Sequence, residues 1–167
     1  DQFVLVPLTV LIVGLLMYLS MRWLPGVILP LVAVAVCAVQ VVGGMALSGI
    51  AMNVLNNIIP PLLIIVGISD AIHLVERYRE EMVRAQGDKK KAIHKAVVSM
   101  TVAGLITSLT TSVGLASLGI SQTVMLRQFG ITAGVGVFYA FVMTMWMLPP
   151  VLTLAKAPPQ AKEREGL

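Results

Sequence analysis

Asp70 is the single side chain with a formal charge between Trp23 and Val75, in the run Ile59-Pro-Pro-Leu-Leu-Ile-Ile-Val-Gly-Ile-Ser-Asp-Ala-Ile-His-Leu-Val75. A carboxylate at bilayer depth is costly, so such groups face a partner, a water-filled cavity or an ion path. A carboxyl that is neutral in lipid and charged in water is chemically suited to carrying a proton. His73 follows three residues later and Arg77 four after that, so on a helix all three share one face. At 1.5 Å per residue, Arg77 lies about 10 Å along the axis from Asp70, within reach through His73 and water. Ser69 adjoins this polar ladder, and Gly67, nearly one turn before Asp70, leaves room for another helix or for water.

A second set of polar groups lies further on, where Thr101, Thr107, Ser108, Thr110, Thr111, Ser112 and Ser117 make one apolar stretch rich in hydroxyls. A hydroxyl donates to a carboxylate and accepts from a carboxylic acid, so it serves both protonation states of Asp70. Thr107, Thr110 and Thr111 are the expected supporting wall. The plainer alternative is that these hydroxyls bond back to their own helix, as Ser and Thr commonly do in membrane helices. For Asp70 the plainer alternative is a static buried hydrogen bond that fixes packing, and His94 reads as an ordinary surface or interface histidine.

The elements that must position these groups are transmembrane helices. The chain is 57% hydrophobic and 12% charged, with a mean hydropathy of +0.92, which excludes an ordinary water-soluble domain. Apolar runs near 3–23, 27–47, 57–77, 97–119 and 128–154 each approach the roughly 20 residues needed to span a bilayer core. An all-α bundle of five transmembrane helices follows, with a connector at 78–96 and a polar tail at 156–167. The connector reads as an interfacial helix broken at Gly87-Asp88, with Asp88 capping its second piece and pairs such as Glu80–Arg84 adding little. Pro60 and Pro61 suit the first turn of the third helix. Gly43-Gly44 and Gly130-x-x-x-Gly134 are places for close helix approach.

Seven of the 12 basic residues (Arg77, Arg79, Arg84, Lys89, Lys90, Lys91 and Lys95) lie in the one connector, and three more follow Leu154. By the positive-inside rule both regions are cytoplasmic, which puts the N-terminus outside and Arg127 in an external loop. The net charge of +4 is therefore a topology signal, with no nucleic-acid partner implied. The lone thiol, Cys37, forms no internal disulfide. No phosphate-cradling glycine loop, metal-ligand cluster or nucleophile–base pair points to an enzyme, a metal or a cofactor. An outside N-terminus on an odd number of spans, opening on Asp1, reads as part of a larger polypeptide.

The run Gly67-Ile-Ser-Asp-Ala-Ile-His-Leu-Val-Glu-Arg-Tyr-Arg-Glu-Glu81 resembles the resistance-nodulation-division (RND) superfamily, most closely its hydrophobe exporters with Patched-like and mycobacterial large-membrane-protein (MMPL) relatives. The resemblance extends to Thr107-Ser-Leu-Thr-Thr-Ser-Val-Gly114 and to Phe129-Gly130 with Leu148-Pro149-Pro150, so it covers nearly the whole chain. It implies spans two to six of one half-transporter, a block similar to the sterol-sensing domain, with Asp70 as the acid that takes up and releases protons. It also implies a missing first span, extracytoplasmic porter domain and second half, an oligomeric full protein and an inner-membrane location. The expected function is the membrane part of a proton-motive-force-driven exporter of hydrophobic or amphipathic small molecules or lipids. The alternatives are a lipid- or sterol-binding module without energised transport, and an accessory subunit of protein translocation similar to SecD/SecF.

Overall fold

The computed structural model describes residues 2–21, 24–50 and 53–154, which form five long helices: α1 (Gln2–Met21), α2 (Leu24–Leu47), α3 (Ile59–Arg84), α4 (Lys89–Ala116) and α5 (Val124–Leu154). The expected interfacial pair Arg22-Trp23 and the tail 156–167 lie outside the described residues. Four segments (Gly26–Leu47, Asn56–Arg84, Lys89–Ile120 and Val124–Thr153) are long and apolar enough to cross a membrane. The fifth helix, α1, has 20 residues and no charged side chain, about the length of one crossing.

Local chemistry sets the helix ends. The Asn53 side-chain oxygen accepts from the backbone N–H groups of Leu55 and Asn56 at 3.0 and 2.8 Å. That turn feeds a short 3-10 segment, Asn56–Ile58, directly into α3. Pro60 and Pro61 occupy the first turn of α3, where a missing N–H leaves no hydrogen bond unmade. At the far end, Gly87 N–H donates to Met82 O and Gln86 N–H to Val83 O, the paired bonds of a Schellman stop. Gln86 takes the left-handed position at φ 50°, and Gly87 follows at φ 91°. Asp88 then caps α4 by accepting from Lys91 N–H at 3.2 Å.

The turn therefore falls at the expected Gly87-Asp88 break, but the connector is not a separate interfacial helix. α3 and α4 run unbroken through 78–84 and 89–96 and make one long antiparallel hairpin. Charge pairing carries α3 beyond the apolar span, although Arg84 pairs with Glu81 at 2.9 Å rather than with Glu80. Arg127 likewise lies in the first turns of α5 rather than in a loop.

α3 sits centrally and packs against α1, α2, α4 and α5. One core cluster joins Val34, Ile68, Leu74, Tyr78, Ala96 and Leu148 towards the hairpin turn. A second joins Cys37, Met45, Ile59, Leu63, Ala133 and Val137 towards the opposite end. Small residues set the closest approaches. A Cβ on Gly67 would meet both Val34 methyl groups at 3.1 Å, so the space beside Gly67 is filled by α2. A Cβ on Gly130 would fall 2.6 Å from the Leu115 carbonyl oxygen, and one on Gly134 would fall 2.7 Å from that of Ser112. Gly43 and Gly44 have nothing within 4 Å of a built Cβ, so the close approach expected there is not made.

Candidate functional site: a carboxyl cavity between α3 and α4

Asp70 lies eleven residues into α3, about 16 Å along its axis, near the depth of a bilayer midplane. It is half-buried and lines an open cavity of about 340 Å³ between α3 and α4. His73, Glu76, Arg77 and Glu80 continue the α3 wall; Met100, Ala103, Gly104 and Thr107 form the α4 wall, and Met145 of α5 closes one side. The polar ladder read from the 70, 73, 77 spacing therefore opens into one space that runs from mid-helix to the charged end of α3. Ser69 is exposed and does not line that space.

The hydroxyl that reaches the acid belongs to Ser108, whose Oγ donates to Asp70 Oδ2 at 3.4 Å. Ser108 is buried, at 3% exposure. Of the three expected threonines, Thr107 lines the cavity, but its hydroxyl donates to Ala103 O and Gly104 O at 3.2 and 3.0 Å. Thr110 donates to Ile106 O and Thr107 O, both at 2.9 Å, and Thr111 to Thr107 O at 2.9 Å. All three satisfy themselves within their own helix and are exposed, and Thr110 and Thr111 do not line the cavity. The sequence did hold a signal for Ser108: Gly104, Ser108 and Ser112 recur every four residues as a stripe of small side chains, the pattern of a packing face. Ser112 uses that face to donate to Gly134 O of α5 at 2.6 Å.

The mouth of the cavity is held by ion pairs. Arg77 contacts Glu80 at 2.7 Å and Glu81 at 3.3 Å, and its Nε donates to Ser99 Oγ of α4 at 3.2 Å. Glu81, with only 5% of its side chain exposed, also receives Arg84. Among the described residues no group of three or more His, Cys, Asp or Glu side chains is placed to hold a metal ion. The arrangement can hold a carboxyl in either protonation state: Ser108 donates to the anion and can accept from the acid, while the cavity gives a route to water.

Asp70 is thus the one charged side chain in the apolar part of the central helix, and it faces an open cavity beside α4. The chain belongs to the MMPL family, which it matches over residues 1–165. It is 31% identical over 128 residues to the Methanocaldococcus jannaschii protein named "Putative membrane protein MJ1562", an alignment covering 76% of this chain and 32% of that relative. The chain thus spans about a third of the length of the relative it matches. No solved structure matches it.

Proposed function

We propose that this chain is the membrane part of a proton-driven exporter of hydrophobic or amphipathic compounds, with Asp70 as the proton carrier. The observation that carries the proposal is the placement of Asp70: half-buried at mid-helix, against Ser108, in a cavity that leads to the charged end of the α3–α4 hairpin. Protonation removes a charge from low-dielectric surroundings and turns Ser108 from donor to acceptor. Both changes alter how α3 sits against α4. His73 and Arg77 line the exit through which the site equilibrates with water. In this reading the hairpin turn is cytoplasmic, as the clustered basic residues support. The N-terminus is extracytoplasmic, and the first span, porter domain and second half come from the rest of an oligomeric inner-membrane protein.

Export of a hydrophobic dye from cells expressing the parent protein tests this. Asp70→Asn keeps the shape while holding the site neutral, and is expected to abolish export at unchanged protein level. His73→Ala slows export without stopping it, because water replaces imidazole in a short path. A second reading, a lipid- or sterol-binding module without energised transport, draws on an apolar groove of about 340 Å³ between α2 and α5. Tyr139 donates to Gln40 across it at 3.0 Å. Wild-type export by Asp70→Asn removes the carrier role and leaves that second reading.

A further inference from the structure

Beyond the carboxyl cavity, the hairpin carries a second space of about 400 Å³ nearer its turn, between Arg77, Glu81 and Arg84 on α3 and His94, Lys95, Val98 and Ser99 on α4. Three permanent cations line it with one carboxylate, and Arg77 also pairs with Glu80 just outside it, which leaves an excess of about one positive charge. Glu81 is already shared by Arg77 and Arg84, and Lys95 has no counter-ion among the described residues. The excess positive charge lies where the apolar part of α4 begins. Directly along that face run Val98, Val102, Ile106, Leu109 and Val113, which are 57%, 64%, 59%, 49% and 61% exposed. They recur at three- and four-residue spacing and make a continuous apolar strip. The hairpin therefore presents a cationic cavity with an apolar runway beginning at its rim.

We propose that this cavity binds the phosphate of an anionic phospholipid, with Lys95, Arg84 and Arg77 around the headgroup and an acyl chain along the Val98–Val113 strip. Lysine and arginine at the membrane rim attract such headgroups, and a planar guanidinium matches phosphate oxygens in a bidentate fashion. A free phosphate ion shares the headgroup chemistry but makes no use of the strip, and so the lipid is the better occupant. The role is separate from the proton chemistry of Asp70, and its test does not depend on transport.

The full-length protein is placed in nanodiscs of mixed phosphatidylcholine and phosphatidylglycerol, and the lipids it retains are counted by native mass spectrometry. Wild type is expected to retain phosphatidylglycerol in preference. Arg84→Gln and Lys95→Gln each reduce that preference about fivefold, the effect of roughly one cation at a membrane surface, whereas Lys95→Arg keeps it. Lys90→Gln and Lys91→Gln remove the same charge from the exposed start of α4 and leave the preference unchanged. Equal losses in all four Gln variants overturn the proposal, because the attraction is then diffuse. No preference in wild type overturns it as well. Displacement of the lipid by inorganic phosphate at comparable concentration overturns the lipid assignment in favour of a simple anion site.

Discussion

Ser108 on α4 directs its hydroxyl at Asp70 on α3, Oγ to Oδ2 at 3.4 Å, and among the described residues it is the one side chain of a neighbouring helix that hydrogen-bonds that acid. Removing it should leave a partly buried carboxyl short of a donor, which costs on the order of 1–3 kcal/mol. Ser108→Ala is therefore expected to lower export roughly tenfold while the protein still folds and reaches the membrane. Ser108→Thr keeps the hydroxyl and should recover most of the loss. Export rates at matched protein level decide the matter, and full activity in Ser108→Ala would make the contact incidental.

Thr110 and Thr111 make the opposite case. Their hydroxyls bond to carbonyls of their own helix, and both residues are exposed. The double change Thr110→Val and Thr111→Val should leave export within twofold of wild type and shift stability by less than about 1 kcal/mol. A loss as large as that of Ser108→Ala would show that these hydroxyls serve the acid after all.

Packing at Gly134 gives a third expectation. A methyl group there meets the backbone of Ser112 and Ala116 at 2.7 and 3.1 Å, and backbone cannot move aside as a side-chain tip can. Gly134→Ala should lower stability by roughly 1–3 kcal/mol, read as a clear drop in thermal midpoint in detergent. Gly44→Ala, at a position with open space, should leave the midpoint unchanged.

Topology is open to a direct chemical test because the one native thiol, Cys37, is buried at 2% exposure. Gln86, exposed in the hairpin turn, can be replaced by cysteine without a competing exposed thiol in this chain. A membrane-impermeant maleimide is expected to label Gln86→Cys only after the cells are opened. Labelling from outside intact cells would invert the orientation.

The apolar spans, the hairpin break with its Asp88 cap and the opening proline pair of α3 were all legible in the sequence, because each follows from short-range chemistry. So was the shared face of Asp70, His73 and Arg77, since helical spacing alone puts them together. What remained illegible was rotation. The density of threonines in α4 drew attention to 107, 110 and 111, but hydroxyl content does not say which side of a helix meets its neighbour. The small residues Gly104, Ser108 and Ser112 do, because only they let α3 and α5 approach. The continuity of the helices through the connector is hard to read for a related reason. Charged residues after Val75 mark where an apolar span ends, yet the backbone ladder continues through them, held by Arg77, Glu80, Glu81 and Arg84. Gly43 and Gly44 show the converse: a glycine pair permits close contact and does not create it.

The contacts of Gly130 and Gly134 have a mechanical consequence. With glycine backbone seated directly on the carbonyls of Leu115 and Ser112, and Ser112 Oγ hydrogen-bonded across to Gly134 O, α4 and α5 cannot slide past one another without breaking main-chain contacts. α3 meets α4 through side chains, the Asp70–Ser108 and Arg77–Ser99 hydrogen bonds among them, which rearrange at far lower cost. Within the bundle, α4 and α5 are thus joined through main chain, whereas α3 is joined to α4 through side chains. The side-chain seam between α3 and α4 passes through the carboxyl group of Asp70, so the proton transfer proposed for that group falls where the packing is held by side chains alone.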